Sequence, residues 1–220
     1  MEKNSSPVFR GIAEAELEEM QRLGCMRKVE FPKNAVIFHV GSVVSEIGIV
    51  VRGCVHIELN DLWGNCNILS DISAGQVFAE SYALCQEPMM VDAVAAENCE
   101  ILFVNLNLLT DDRFSHRSWH RKLLKNVLSV SVQKNLVLST RIFCTAPKSV
   151  RGRLLTYLSA QSRKAGSTAF EIPFSRQQMA DYLNLDRSAL SKELGRMRDD
   201  GILEFQKNRF ILKQRDKAPD

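Results

Sequence analysis

The chain of 220 residues is 45% hydrophobic and 25% charged, the balance of a soluble protein with enough apolar material for two modest cores, which excludes a disordered or fibrous chain. Its net charge of +3 conceals a division: residues 1–110 carry 7 Lys and Arg against 15 Asp and Glu, a net of −8, whereas residues 111–220 carry 22 against 11, a net of +11. A basic C-terminal half is the electrostatic footprint of a nucleic-acid face, and an acidic N-terminal half is repelled by phosphate.

In chain order, Met1–Arg10 lacks the apolar core of a signal peptide, and no apolar run approaches the ~20 residues that span a bilayer. Action in the cytoplasm, without a membrane partner, is therefore expected. Glu14–Leu23 reads as a short helix stopped by Gly24. From residue 25 to about 108 apolar and polar positions alternate, with Gly41, Gly48, Gly53, Gly64 and Gly75 at the turns, the pattern of a compact all-β unit. Asp111 and Asp112 then precede a long helix predicted from Ser115 to Ile142. Its stripe of Trp119, Leu123, Leu124, Val127, Leu128, Val130, Val137, Leu138 and Ile142, interrupted by Ser131, Lys134 and Asn135, is longer than a small β unit can cover. Part of it is expected to pack on the same helix of a second copy, giving a homodimer. Pro147 breaks the chain, and Val150–Gln161 reads as another amphipathic helix.

The most informative stretch is Ser175–Lys213. Ser175 and Gln178 have the S-x-x-Q form of a capping box. Met179 and Leu183 face one way, Ala180 leaves room for a crossing helix, Leu185 plugs a tight turn, and Asp186 caps a second helix whose inward stripe is Leu190, Leu194 and Met197. The outward face carries Ser188, Ser191, Lys192 and Gly195, with Arg187 beside it. In a helix-turn-helix this part of the second helix reaches base edges in the major groove, where Arg or Lys pairs with guanine and Ser serves base or phosphate. Gly201 stops the helix, and Ile202–Phe205 and Phe210–Lys213 read as strands around a basic tip at Lys207, Asn208 and Arg209 suited to a phosphate backbone. Ser175, Arg176, Gln177, Arg187, Ser188, Ser191, Lys192, Lys207 and Arg209 are the candidate DNA-binding residues. The plainer reading, two packed helices with a solvated polar face, does not account for the agreement of cap, turn, basic face and basic wing.

The segment SRQQMADYLNLDRSALSKEL (175–194) resembles the helix-turn-helix of the CRP/FNR family of bacterial transcription regulators. Upstream, FPKNAVIF (31–38) with Gly41, IVVRGCVHI (49–57) and ISAGQVFAE (72–80) resemble that family's sensory β-roll in order and spacing. The resemblance runs from about residue 12 to about residue 213. It implies an α+β chain with a sensory, cyclic-nucleotide-binding-like β-roll at 1–110, a dimerisation helix at 111–144 and a winged helix-turn-helix at 145–220. The implied partners are double-stranded DNA with a palindromic operator, a second copy of the chain, an unidentified small-molecule effector and RNA polymerase.

The effector pocket is the least legible part. Glu80, in Ala79-Glu80-Ser81, fills the position that contacts a ribose hydroxyl in cyclic-nucleotide-binding relatives, but Met90 and Val91 stand where an Arg-Ser pair would hold the cyclic phosphate. No Lys or Arg occurs between Arg52 and Arg113, and a buried phosphate without a cation is costly. Glu80, Ser81, Met90 and Val91 are the candidate pocket residues. Met89 and Met90 admit an apolar effector, against the plainer reading of Met as a core filler.

Other chemistry is sparse. Cys25, Cys54, Cys66, Cys85, Cys99 and Cys144 are scattered singly, without C-x-x-C, and read as free thiols, with a thiol switch as the minor alternative. His116 and His120, four apart on the predicted helix, have the spacing of a metal pair, but interleaved Arg113, Arg117 and Arg121 favour a solvated basic helix start. His39 and His56 read as lone polar side chains before haem ligands. No metal site or cofactor is expected. There is no Walker loop, G-x-S-x-G or H-E-x-x-H, so no enzyme is expected. The rival reading is a ligand-binding module with a non-DNA output.

Overall fold

The computed structural model describes residues 6–60 and 66–213; the expected turn at Gly64 lies outside them. The chain divides into two compact units, Met1–Gln133 and Lys134–Asp220, with the division inside one helix.

In the first unit, a 3-10 turn at Pro7–Phe9 precedes helix α1 (Glu14–Arg22). Eight strands follow: β1 (Met26–Phe31), β2 (Val36–Phe38), β3 (Glu46–Arg52), β4 (Cys54–Asn60), β5 (Cys66–Ser73), β6 (Val77–Phe78), β7 (Asp92–Ala95) and β8 (Cys99–Asn105). They form two antiparallel four-stranded sheets, ordered β1-β8-β3-β6 and β2-β7-β4-β5. Val50, Val55, Phe78, Ala93, Ala95, Ile101 and Phe103 bury one core inside this roll. Gly48 is required there, because a Cβ at that position would collide with the Phe78 ring. A short helix α2 (Glu80–Cys85) interrupts the strands where sequence alternation suggested only a turn. Ala79 enters it with φ 64°, a left-handed backbone that an L side chain with a Cβ adopts only at a cost.

Helix α3 spans Ser118–Thr145, starting three residues after the sequence-predicted Ser115 because residues 112–114 wind as a separate 3-10 turn capped by Asp111. Trp119, Leu123, Val127 and Val130 are buried with Phe9, Leu17 and Met20 in a second core of the first unit. Glu16 and Glu19 of α1 hold the same face: Arg117 and the Trp119 indole N–H donate to Glu19 at 2.6 and 2.8 Å, and Lys122 to Glu16 at 2.7 Å. Ser118 also donates to Glu16. Asn126 donates to the carbonyls of Val8 and Arg10, both at 2.8 Å. Residues 111–144 are therefore not an element apart, as the sequence reading had them: the first half of α3 belongs to the core of the first unit, and Cys144 near its end to the core of the second.

The second unit continues with α4 (Val150–Ala165), β9 (Ala169–Glu171), α5 (Arg176–Leu183), α6 (Arg187–Asp199), β10 (Leu203–Gln206) and β11 (Arg209–Leu212). Leu154, Tyr157, Leu158, Met179, Ala180, Leu183, Leu190, Leu194, Met197, Leu203 and Phe210 form its core. The two-strand wing expected from sequence is a three-stranded sheet, β10-β11-β9. β9 is a three-residue strand, too short to show an alternation.

Candidate functional site

The capping box at α5 is closed as its spacing requires: Ser175 Oγ accepts from Gln178 N–H at 3.3 Å, and Gln178 Oε1 from Ser175 N–H at 2.9 Å. Asn184, with φ 52°, ends the helix in the left-handed region. The exposed carbonyls at this end are gathered by two arginines that sequence reading did not single out. Arg153 of α4 donates to Pro147, Leu183 and Asn184 oxygens at 2.8, 3.1 and 2.9 Å. Arg141 of α3 donates to Tyr182 and Asp181 carbonyls and to Asn184 Oδ1 at 3.1, 3.2 and 3.3 Å. Cations at a helix C-terminus satisfy orphan carbonyls and oppose the helix dipole. The C-terminal end of α5 and the start of the turn are thus held by α3 and α4.

Asp186 starts α6 by accepting from Ser188 and Ala189 N–H at 2.8 and 2.9 Å and from Ser188 Oγ–H at 2.5 Å. These bonds, the Ser188 side chain first, hold its carboxyl below the usual range. With Leu190, Leu194 and Met197 buried on one side, α6 presents Arg187, Ser188, Ser191 and Lys192 to solvent on the other. Among the described residues Arg187 and Lys192 enter no ion pair, whereas Arg196 pairs with Glu193 at 3.5 Å and Arg198 with Asp199 at 3.2 Å. The uncompensated charge therefore sits in the first half of the helix, where backbone N–H groups also favour an anion. Lys207 and Arg209 are exposed at the end of the wing. Arg209 is the first residue of β11, leaving Lys207 and Asn208 as the turn itself.

The remaining candidates are committed within the fold. Gln177 donates to Asp181 at 2.8 Å, and Ser175 is the cap. Arg176 donates to the Lys207 carbonyl at 2.7 Å with its guanidinium 5.1 Å from both the Phe205 and Phe210 ring centres. Burial pushes its pKa down. It ties α5 to the wing, a contact that its place among the candidate DNA-binding residues does not reveal, because nothing in S-R-Q-Q shows that two wing rings close over it.

In the roll, Glu80 is buried at the first turn of α2, but Ser81 is exposed and Met90 is 73% exposed. Val91 is half-buried against the α1–α3 core, and Met89 lies inside it. Met89 is thus a core filler, and Ser81 and Met90 face solvent in the single chain. A cavity of about 420 Å³ lies elsewhere in the roll, lined by Phe9, Leu17, Met26, Ile49, Val50 and Leu102 among others.

His116 precedes α3, so it does not share a helix face with His120, whose Nε2 lies 3.2 Å from the Leu109 carbonyl; that metal pairing falls. Every described cysteine is a free thiol. Burial raises the pKa of Cys25, Cys54 and Cys144, and a hydrogen bond to Glu58 raises that of Cys66. None of these four has the depressed pKa of a redox-sensing thiolate. No helix among the described residues is long and apolar enough to cross a membrane.

Two family models match the chain: a cyclic nucleotide-binding domain over residues 28–111 and a Crp-like helix-turn-helix domain over residues 152–217. A protein described as a probable transcriptional activator from Rhizobium leguminosarum bv. viciae is 28% identical over 216 residues, covering 93% of this chain and 84% of that one. Among solved structures, a CprK variant complexed with OCPA superposes with a TM-score of 0.59 at 13% identity, covering 89% of each chain. The Thermus thermophilus catabolite activator protein does so with a TM-score of 0.51 at 20% identity, covering 94% of each.

Proposed function

Because the chain belongs to the CRP/FNR family of transcription regulators, we propose that it acts in the cytoplasm as a homodimer that binds a palindromic operator and responds to a signal received by the β-roll. The observation that carries the DNA reading is the solvent face of α6: among the described residues Arg187 and Lys192 stand without ion pairs on a helix that Asp186 caps, after a turn whose α5 side is held by Arg153 and Arg141. Arg187 is the first choice for reading a base edge, with Lys192 and Ser191 beside it. Ser188 serves through its acceptor lone pairs, since its proton is given to Asp186. Lys207 and Arg209 on the wing contact phosphate, which positions the domain without reading sequence.

Dimerisation runs through the second face of α3. Leu124, Leu128, Val132, Leu136, Leu138 and Ile142 are between 44% and 65% exposed in the single chain. Apolar side chains at that spacing along one helix find cover in a parallel copy of themselves. A signal that favours one packing of the two α3 helices by a few kcal/mol is enough to switch operator occupancy. RNA polymerase is the downstream partner on this reading.

The signal is not cyclic AMP. Glu80 is buried as a ribose-binding carboxylate would be, but residues 53–112 supply no Lys or Arg for a permanent anion. A ligand-binding module with a non-DNA output is disfavoured by the matched helix-turn-helix domain.

The test is selection of genomic fragments by the purified protein. Enrichment of inverted half-sites about one helical turn, ~34 Å, apart is the expected result, and recovery of fragments without a shared sequence would overturn the reading.

A further inference from the structure

The hairpin of β4 and β5 brings together three residues that no motif links. Cys54 and His56, two apart on β4, share one face of the strand. Asp71 lies opposite His56 in the antiparallel register. Sγ of Cys54, a ring nitrogen of His56 and a carboxylate oxygen of Asp71 all lie within 4.8 Å of one another. Cys54 and His56 are half-buried and Asp71 is exposed, so the cluster has both a wall and an opening.

We propose that Cys54, His56 and Asp71 form a binding site for a divalent transition metal ion of the zinc class. Ligands at ~2.0–2.3 Å around a tetrahedral ion stand about 3.4–3.6 Å apart. His56 Nε2 and Asp71 Oδ1 are 3.3 Å apart, a spacing that fits two ligands of one ion. It is longer than the ~2.7–2.9 Å of a charge-assisted hydrogen bond between them. Cys54 Sγ, within 4.8 Å of both, is close enough to complete the set. The other ring nitrogen, Nδ1, faces Glu58 Oε1 at 3.6 Å. A carboxylate behind a ligating imidazole orients the ring and raises its basicity, and Glu58 is placed for that role.

Charge supports the same assignment. Glu58 and Asp71 flank the imidazole, and the sixty residues around them from Gly53 to Asp112 contain no Lys or Arg. One sulfur, one nitrogen and one oxygen donor select against Mg²⁺ and Ca²⁺, which take oxygen alone. Three protein ligands leave a fourth position open toward solvent. The site does not depend on the DNA reading, since all four residues lie in the first unit.

The experiment uses the full-length, reduced, metal-free protein titrated with Co²⁺. One equivalent should produce a sulfur-to-cobalt charge-transfer absorption, and Zn²⁺ should displace it. Cys54→Ser should abolish the absorption, while His56→Gln and Asp71→Asn should weaken Co²⁺ binding by roughly 10- to 100-fold. Asp71 is exposed, so its variant keeps the test independent of folding, and matching thermal melting of the metal-free variants checks this. Cys85→Ser, at an exposed thiol on α2 outside the site, should leave binding unchanged. Absence of the absorption at stoichiometric Co²⁺, its persistence in Cys54→Ser, or its loss in Cys85→Ser would overturn the proposal.

Discussion

Arg176 and Arg187 are both arginines at the start of a helix in a DNA-binding domain, yet their surroundings separate them. Arg187 is exposed and enters no ion pair among the described residues, whereas Arg176 is closed between Phe205 and Phe210 and bonded to the Lys207 carbonyl. Arg187→Ala should cost about 1–3 kcal/mol of operator affinity and relax base preference while leaving stability unchanged. Arg176→Ala should instead lower the melting temperature of the second unit, because a hydrogen bond from a charged donor and the packing of two rings are lost together. Anisotropy titrations on specific and random DNA, paired with thermal melting, distinguish the two. Equal losses on both DNAs for Arg187→Ala would remove it from base reading. The sequence offered Arg187, Ser191 and Lys192 correctly as solvent-facing residues because helical periodicity alone puts them opposite Leu190, Leu194 and Met197. It could not separate Arg176 from them, since the rings that cover it come from a wing some thirty residues later.

At the scale of elements, α3 carries the most distinct expectations. One face is held to α1 by Glu16 and Glu19, and the burial that would raise the Glu16 pKa is outweighed by hydrogen bonds from Lys122, Ser118 and the Ala13 N–H, which hold it down to about 2. A depressed folded-state value means that this contribution is complete above the unfolded value near 4.5 and is lost as pH falls toward 2. Urea unfolding of the first unit, followed by tryptophan fluorescence, should therefore lose stability between those pH values. Glu16→Gln should be less stable at neutral pH and show a shallower loss on acidification. An unchanged slope would show that Glu16 is not the titrating group. The other face predicts assembly: Leu124→Asp and Leu128→Asp place a carboxylate in an apolar seam, and light scattering should report monomers that bind the operator only weakly. A variant that remains dimeric would move the seam elsewhere. The long helix was legible from its stripe, and the division of that stripe into a buried and an exposed face was not, because both faces are apolar. α2 and β9 escaped notice for a different reason: six and three residues are too few to show a period. His116 and His120 have helical pair spacing only on a helix that begins by Ser115, and α3 begins at Ser118.

For the whole molecule, the charge division read from the sequence matches the division of labour between the units. The basic residues that matter cluster on α6 and the wing, and the stretch from residue 53 to residue 112 in the roll is free of Lys and Arg. That absence predicts that calorimetric titration with cyclic AMP gives no saturable micromolar binding, since the loss of a bidentate guanidinium contact costs several kcal/mol and shifts micromolar affinity toward millimolar. Saturable micromolar binding that also tightens the operator complex would place a phosphate site that the roll's own sequence does not supply. The fold was readable because its helix caps, turn residues and strand alternation agree with one another. The effector site was not, because candidates such as Met90 turn out to point into solvent, and the metal-ligand set on β4 and β5 exists only through a cross-strand register that spacing in the chain does not reveal. Whether a dimer reads DNA sequence through α6 is decided by measuring affinity and stoichiometry together at one salt concentration on a selected operator and on its scrambled counterpart. Two chains per operator and binding at least ~10³-fold tighter than to the scrambled duplex are expected. One chain per duplex, or equal affinity for both DNAs, would rule out such a dimer.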